Sequence, residues 1–243
     1  MSDTSFIQDG KRLKKMVKKV DEFGDEYVVP TKEWTAFRKA RLTEIRLAQS
    51  GIPGYVSGFD LSSILEEDEH KRKLEIFVNK FDEKFSKTHL YFWSQGNGTQ
   101  KTTTASIVCK LLIEKKKTVR FVLMSELVNT LMNEQFEDDL ETKIFDWLNC
   151  DFLVIDDSFD PKKLTVYKSG YQLPFLDTFL RKRLEILRKS TCFTSNIPIG
   201  SIDEKVFGLS IKKLVKRSVP DPFHFSVVYE EQCNDFDIDE LWS

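Results

Sequence analysis

HLYFWSQGNGTQKTTT, residues 89–104, is the stretch on which the fold turns. An apolar run, Leu90 to Trp93, stops at a turn holding Gly96 and Gly98. Lys101 and Thr102 then open a helical pattern carried by Ala105, Ile107, Val108, Leu111 and Leu112. Strand, glycine-bearing turn, Lys-Thr and helix, in that order, is the context a phosphate-binding loop requires. Glycines let consecutive backbone N–H groups turn toward phosphate, and the helix N-terminus adds partial positive charge. The residues so placed are Gly96, Asn97, Gly98, Thr99, Gln100, Lys101, Thr102 and Thr103. In such a loop the lysine, here Lys101, reaches the β- and γ-phosphates of a nucleotide, and the hydroxyl of Thr102 ligates Mg2+. The two glycine positions of G-x-x-x-x-G-K-[ST] fall instead on Gln95 and Gln100. Taken alone, the stretch also reads as an ordinary strand-turn-helix with a surface lysine.

Composition narrows the rest. With 243 residues, 40% of them hydrophobic and 31% charged, the chain can hold one α/β domain and a smaller appendage. No run reaches the apolar length of a transmembrane helix, and residues 1–10 lack the apolar core of a signal peptide, so a cytoplasmic protein is expected. Cys109, Cys150, Cys192 and Cys233 are spread singly. They suggest neither a zinc site nor a disulfide framework, and three of them sit in apolar contexts that read as core. The net charge of −2 says little, but its distribution says more. Lys11, Arg12, Lys14, Lys15, Lys18 and Lys19 form a basic head, and Glu230, Glu231, Asp235, Asp237, Asp239 and Glu240 an acidic tail. Each is either an interaction segment or a solvated terminus.

Outward from the loop, periodicity places the elements. A short basic helix is expected around 11–20, followed by a helix opened by Thr31 as N-cap, with Trp34, Phe37, Leu42, Ile45 and Ala48 as its stripe. Gly51-Ile-Pro-Gly54 breaks that helix. Ser63 with Glu66 reads as a capping box for a second helix, whose stripe of Leu74, Phe77, Val78, Phe81 and Phe85 packs on the sheet. Beyond the loop helix come a strand at 118–123, a short helix capped by Ser125, a helix at 138–148 and the apolar run Phe152-Leu-Val-Ile155. A helix at 172–188, a strand at 191–194, short helices at 201–206 and 209–217 and a last strand at 223–229 follow. Continuous apolar strands alternating with helices imply a parallel sheet covered on both faces, an α/β fold.

Candidate chemistry follows the loop at suitable positions. Phe152 to Asp157 has the Walker-B pattern: Asp156 at the end of a buried strand to hold Mg2+ through water, and Asp157 to act on the attacking water as general base. Asn196, closing the next strand, is placed to orient water against a γ-phosphate, or is a turn asparagine before Ile197-Pro198. Arg217 is either an arginine reaching a γ-phosphate, in its own subunit or across an interface, or a solvated side chain. Lys162, Lys163, Tyr167 and Lys168 lie just after the Walker-B strand and offer cationic and aromatic groups suited to single-stranded DNA, or form a solvated loop. Taken jointly, these features read as a P-loop ATPase.

From about Ala48 to Tyr229 the sequence resembles the replicative-helicase loaders, the DnaC/IstB-like branch of the AAA+ ATPases. The residues that carry the resemblance are Ala48-Gln-Ser-Gly-Ile-Pro53 followed by Tyr55, Gly96 to Thr102, Phe152 to Asp157, and Phe193-Thr-Ser-Asn196. The resemblance implies an AAA+ core at 89–229, preceded by a linker and lead-in helix at 48–88 and a helical partner-binding region at 1–47, and followed by an acidic tail at 230–243. It implies ATP and Mg2+ as ligands, Asn196 as sensor 1 and Arg217 as an interface finger or second sensor. The expected partners are the replicative DNA helicase, gripped through residues 1–47 with Trp34 and Phe37 as anchors, single-stranded DNA, and further copies of the chain; no membrane is expected. The compact N-terminal region fits a bacterial cell and a phage-encoded version. The alternatives are a transposition helper ATPase and a non-hydrolysing adaptor or inhibitor that docks on the host helicase or its loader. Gln100 favours the adaptor. A small-molecule kinase lacks any stretch that reads as an acceptor lid.

Overall fold

The computed structural model describes residues 5–8, 11–64, 68–95, 99–134, 138–161 and 172–226. Contacts divide the chain into two units, Met1–Ala48 and Gln49–Ser243.

The first unit begins with strands where a short basic helix is expected. Strands β1 (Ser5–Gln8) and β2 (Lys11–Lys14) form one antiparallel hairpin, and β3 (Met16–Val20) and β4 (Glu26–Pro30) a second. The turn between β3 and β4 explains the difference. The Asp21 carboxylate accepts from the backbone N–H groups of Phe23 and Asp25, both at 2.9 Å, and Gly24 takes the left-handed backbone (φ 89°). Once this turn closes, valines facing valine and lysine across the ladder favour the ribbon over an isolated ten-residue helix. Helix α1 (Lys32–Ser50) is capped as expected, with Thr31 Oγ1 accepting from the N–H of Trp34 at 3.1 Å.

Among the described residues, the second unit holds a five-stranded, wholly parallel sheet. Its strands are β5 (Leu90–Trp93), β6 (Val119–Leu123), β7 (Phe152–Asp156), β8 (Ser190–Ser195) and β9 (His224–Ser226), in the order β6-β7-β8-β5-β9. Every residue of β7 and β8 is buried, as strands covered on both faces require.

Helix α2 (Asp68–Asn79) and a wider turn at Phe81–Phe85 cover one face with α3 (Lys101–Glu114). Phe77 sits 5.4 Å from Phe85 and 6.0 Å from Phe152, ring centre to ring centre, so the aromatic stripe read from the sequence does pack on the sheet. Each fully buried phenylalanine stabilises by roughly 1.5–3 kcal/mol. The helix starts later than expected, however. Ser63 closes a 3-10 turn at Leu61–Ser63, where it forms the capping box with Asp60, and α2 is described from Asp68.

The other face carries α4 (Met124–Asn133), α5 (Asp138–Asn149), α6 (Leu173–Arg181) with a wider turn at Lys182–Ile186, and α7 (Glu204–Ser218). Ser125 lies inside the first turn of α4 and is not its cap. The two short helices expected near the C-terminal end are both present: Glu204–Ser218 is two helical pieces that meet at Gly208, whose backbone (φ 78°, ψ 147°) is not helical. Residues 227–229 of the expected last strand lie outside the described residues. Gly51 ends α1 at φ +79°, and a Cβ there would meet the carbonyl oxygen of Phe121 at 2.5 Å, which only glycine avoids. Cys109, Cys150 and Cys192 are buried, and burial pushes their thiols up; Cys233 lies outside the described residues. No helix among the described residues is long and apolar enough to cross a membrane.

Arg183 holds the second face in place. Its side chain is 0% exposed. The guanidinium donates to the carbonyls of Trp147 (2.7 Å), Leu148 (2.8 Å), Cys150 (3.2 Å) and Ser190 (2.7 Å) and to Thr191 Oγ1 (2.9 Å). A buried cation thus closes the carbonyl end of α5, where the helix dipole favours it. Arg183→Met removes the cation from these buried acceptors and is expected to destabilise the chain by roughly 3–5 kcal/mol. Arg183→Lys is expected to recover only part of that loss, because one ammonium cannot span the fan. Urea denaturation of the three proteins checks this.

His89 lies beside this fan, buried, with Nδ1 lacking a hydrogen-bond partner among the described residues. Burial, with Arg183 and Arg188 nearby, lowers its pKa from 6.5 to about 4. The folded chain therefore keeps His89 neutral where the unfolded chain protonates it. Stability should fall as pH drops from 6.5 towards about 4, by roughly 2–3 kcal/mol from this residue. His89→Phe should flatten that slope in denaturation curves taken at pH 7 and pH 4.5.

Candidate functional site

The site forms at the carboxyl ends of β5, β7 and β8. Strand order brings them together: β8 lies between β5 and β7. Lys101 opens α3 and is 7% exposed. Its Nζ donates to Ser94 Oγ at 2.8 Å and Thr99 Oγ1 at 2.9 Å, and those two hydroxyls also bond each other. The ammonium is therefore held between the hydroxyl that follows β5 and the one two residues before Lys101.

Next to it, Thr102 Oγ1 donates to Asp156 Oδ1 at 2.9 Å, and Thr194 Oγ1 donates to the same oxygen. Burial raises the pKa of Asp156; the hydrogen bonds from Thr194 and Thr102 oppose the rise, and the neighbouring Asp157 adds to it. A threonine hydroxyl beside a carboxylate is a hard oxygen pair of the kind that suits Mg2+. Among the described residues no group of three or more His, Cys, Asp or Glu is placed to hold a metal.

The backbone is strained around these groups. Gln100 (φ 61°), Asp157 (φ 53°) and Phe159 (φ 60°) are all left-handed. A left-handed backbone costs a residue with a Cβ roughly 1–2 kcal/mol, and such residues cluster where function requires the geometry. Gln100 occupies the position where the loop pattern has glycine, and its φ shows why glycine suits it. Phe159 is fully buried against Phe193 (5.5 Å), Phe207 (5.4 Å) and Tyr91 (6.5 Å). That burial offsets the strain.

The remaining sequence candidates distribute as follows. Thr103 is half-buried on the first turn of α3. Asn196, just past β8, donates from Nδ2 to Asp160 Oδ2 at 3.0 Å. Arg217 is on α7 with its side chain 57% exposed, and it pairs with Glu185. Among the described residues no hydrogen bond or ion pair joins Arg217 to Lys101, Asp156 or Asn196. Gly96, Asn97 and Gly98, and Lys162, Lys163, Tyr167 and Lys168, lie outside the described residues. In the first unit Trp34 and Phe37 stack at 5.6 Å, with Lys15 Nζ 5.0 Å from the Trp34 ring centre. Sequence reading missed Ser94 and Thr194. The available signal was Ser94 directly after the apolar strand β5; Thr194, near the end of the hydroxyl-rich β8, stands out only through its place next in register to Asp156.

Strand order, the left-handed Gln100 before α3 and the Thr102–Asp156 contact give the described residues the fold of a P-loop NTPase core of the AAA+ type. The chain is similar to the crystal structure of DnaI, with a TM-score of 0.58 and 18% identity over 76% of this chain and 97% of that one. It is also similar to the DnaC helicase loader, with a TM-score of 0.55 and 19% identity over 69% and 97%. The replication initiator DnaA bound to AMPPCP and single-stranded DNA gives a TM-score of 0.56 and 9% identity over 72% and 51%. At such identities the likeness establishes the fold, and the DnaC loader falls in the group the sequence resemblance indicated. No protein-family model matches the chain, and no curated protein sequence matches it.

Gln100→Gly removes the left-handed strain at the loop. Net of the entropy glycine adds to the unfolded chain, it is expected to stabilise by about 0.5–1 kcal/mol. Thermal melting against the unaltered chain reads this out.

Proposed function

We propose that this chain is an ATP-hydrolysing loader that binds the replicative DNA helicase and helps to place it on single-stranded DNA. The observation that carries the reading is the Asp156 oxygen shared by the hydroxyls of Thr102 and Thr194, beside Lys101, in a fold similar to that of a helicase loader. Lys101, released from Ser94 and Thr99, would hold the β- and γ-phosphate oxygens, and the N-terminus of α3 would add its partial positive charge. Thr102 and Asp156 would hold Mg2+, which spreads the phosphate charge when bound. Asp157 would orient the attacking water and accept its proton. Asn196 would turn its amide from Asp160 towards the terminal phosphate. Arg217, on an exposed helix face, would serve a neighbouring copy.

Residues 1–47 would grip the helicase, with the stacked Trp34 and Phe37 as the aromatic anchors such interfaces favour. Lys162, Lys163, Tyr167 and Lys168 would meet single-stranded DNA, whose backbone and bases suit cations and rings. A non-hydrolysing adaptor is the reading that Gln100 favours, since a side chain stands where the backbone must come close to phosphate.

ATP turnover with and without single-stranded DNA, together with capture of the purified replicative helicase, tests the loader reading. The expected result is DNA-altered turnover, lost by about 100-fold or more in Lys101→Ala, and helicase capture that depends on nucleotide. Absent turnover with retained capture would replace the loader by the adaptor. Absent capture with DNA-stimulated turnover would favour a transposition helper.

A further inference from the structure

We propose that Thr194 is the positioning residue of this site: one buried hydroxyl that sets both the Asp156 carboxylate and the backbone that presents Asp157. The inference rests on the nucleotide-site reading above and assigns a role to a residue outside the loop, Mg2+ and sensor sets.

Thr194 is 1% exposed. A hydroxyl has one proton and two lone pairs. Here the proton goes to Asp156 Oδ1, and the oxygen accepts the N–H of Asp157 at 3.0 Å. The carbonyl of the same residue accepts the N–H of Ser158 at 2.7 Å. Thr194 therefore bonds three consecutive residues at the end of β7. The consequences differ along that run. At Asp156, Thr194 and Thr102 both bond Oδ1, which fixes the rotation of the carboxylate and leaves Oδ2 out of that pair of bonds. At Asp157, the bond pins the N–H of a left-handed residue, a conformation that needs outside support to persist. A residue 38 positions away reaches this turn only because β8 is the strand beside β7.

Thr194 touches neither nucleotide nor water in this account; it acts through the two aspartates. The distinguishing substitution is Thr194→Val, which keeps the branched shape and removes the hydroxyl, set against Thr194→Ser, which keeps the hydroxyl and removes a methyl. Thr194→Cys, similar in size and a weak donor, stands in if the valine variant does not fold.

Three readouts are compared in the full chain: steady-state ATP turnover, the gain in affinity for a non-hydrolysable ATP analogue on adding Mg2+, and the melting temperature. Thr194→Val is expected to lose about tenfold or more in kcat, to keep KM for ATP within about threefold, and to lose a similar factor of the Mg2+ gain. Thr194→Ser is expected to stay within about threefold of the unaltered chain in kcat, KM and the Mg2+ gain. The inference is overturned if Thr194→Val keeps both kcat and the Mg2+ gain. It is also overturned if serine and valine variants are impaired alike, which would mark a packing role. If the unaltered chain shows neither turnover nor a Mg2+ gain, and Lys101→Ala binds the analogue equally, the nucleotide reading fails and this inference with it. If the chain binds but does not hydrolyse, the Mg2+ gain alone decides.

Discussion

The register between β7 and β8 governs everything built at their far ends, and a buried guanidinium ties the starts of the two strands together. Arg183 bonds the carbonyl of Cys150, just before β7, and the carbonyl of Ser190, where β8 begins. Those strands pair Phe152 with Ser190 and keep step to Ile155 with Phe193. A slip of one residue would send each side chain to the opposite face. Asp156 would then turn away from Thr102, and Thr194 from Asp156. One end of the strand pair is therefore fixed by charge and carbonyls so that the other end can place a carboxylate. The charge is tolerable there because the fan supplies acceptors from α5 and from both strand starts.

At the site, strain and packing are balanced locally. Three left-handed residues with side chains are found at or next to the candidate residues, and each is held differently. Gln100 begins α3, and its carbonyl accepts from Thr104 at 2.7 Å, so the helix itself secures it. Asp157 is held by the Thr194 hydroxyl. Phe159 is held by aromatic burial on the face opposite α3. Asp160 then follows at once and takes the Asn196 amide. The segment from 156 to 160 is thus fastened residue by residue to β8 and its exit, which makes β8 the frame of the site as well as the central strand of the sheet.

The sequence made the local parts of this legible. The loop, its lysine and threonine, the acidic end of β7 and the stripe of α2 are each contiguous or periodic, so residue type and spacing sufficed. The parallel sheet followed from apolar runs between helices. What was hidden depends on partners far along the chain. Arg183 looks like any arginine in an apolar helical stretch; its role exists only because α5 ends against it. Thr194 looks like a strand residue until β8 is known to lie beside β7. Arg217 was attractive as a nucleotide ligand, and the fold pairs it with Glu185. The basic stretch at 11–20 has no strong period of either kind. For its second half, 16–20, the turn at Asp21–Asp25, closed by one carboxylate and one glycine, decides in favour of a strand, while 11–14 pair with β1.

The order of strands in the sheet also bears on how the chain is made. β5 precedes β8 in the chain and so leaves the ribosome well before the strand it pairs with through Leu90 and Cys192. At synthesis rates of about 5–20 residues per second, roughly 5–20 s separate the two. During that interval the loop lysine has been made, while the frame that steadies the aspartates has not. A nascent chain therefore holds the parts of its site without the site. On the nucleotide-site proposal, affinity arises late and abruptly, as a property of the closed sheet and not of the loop alone.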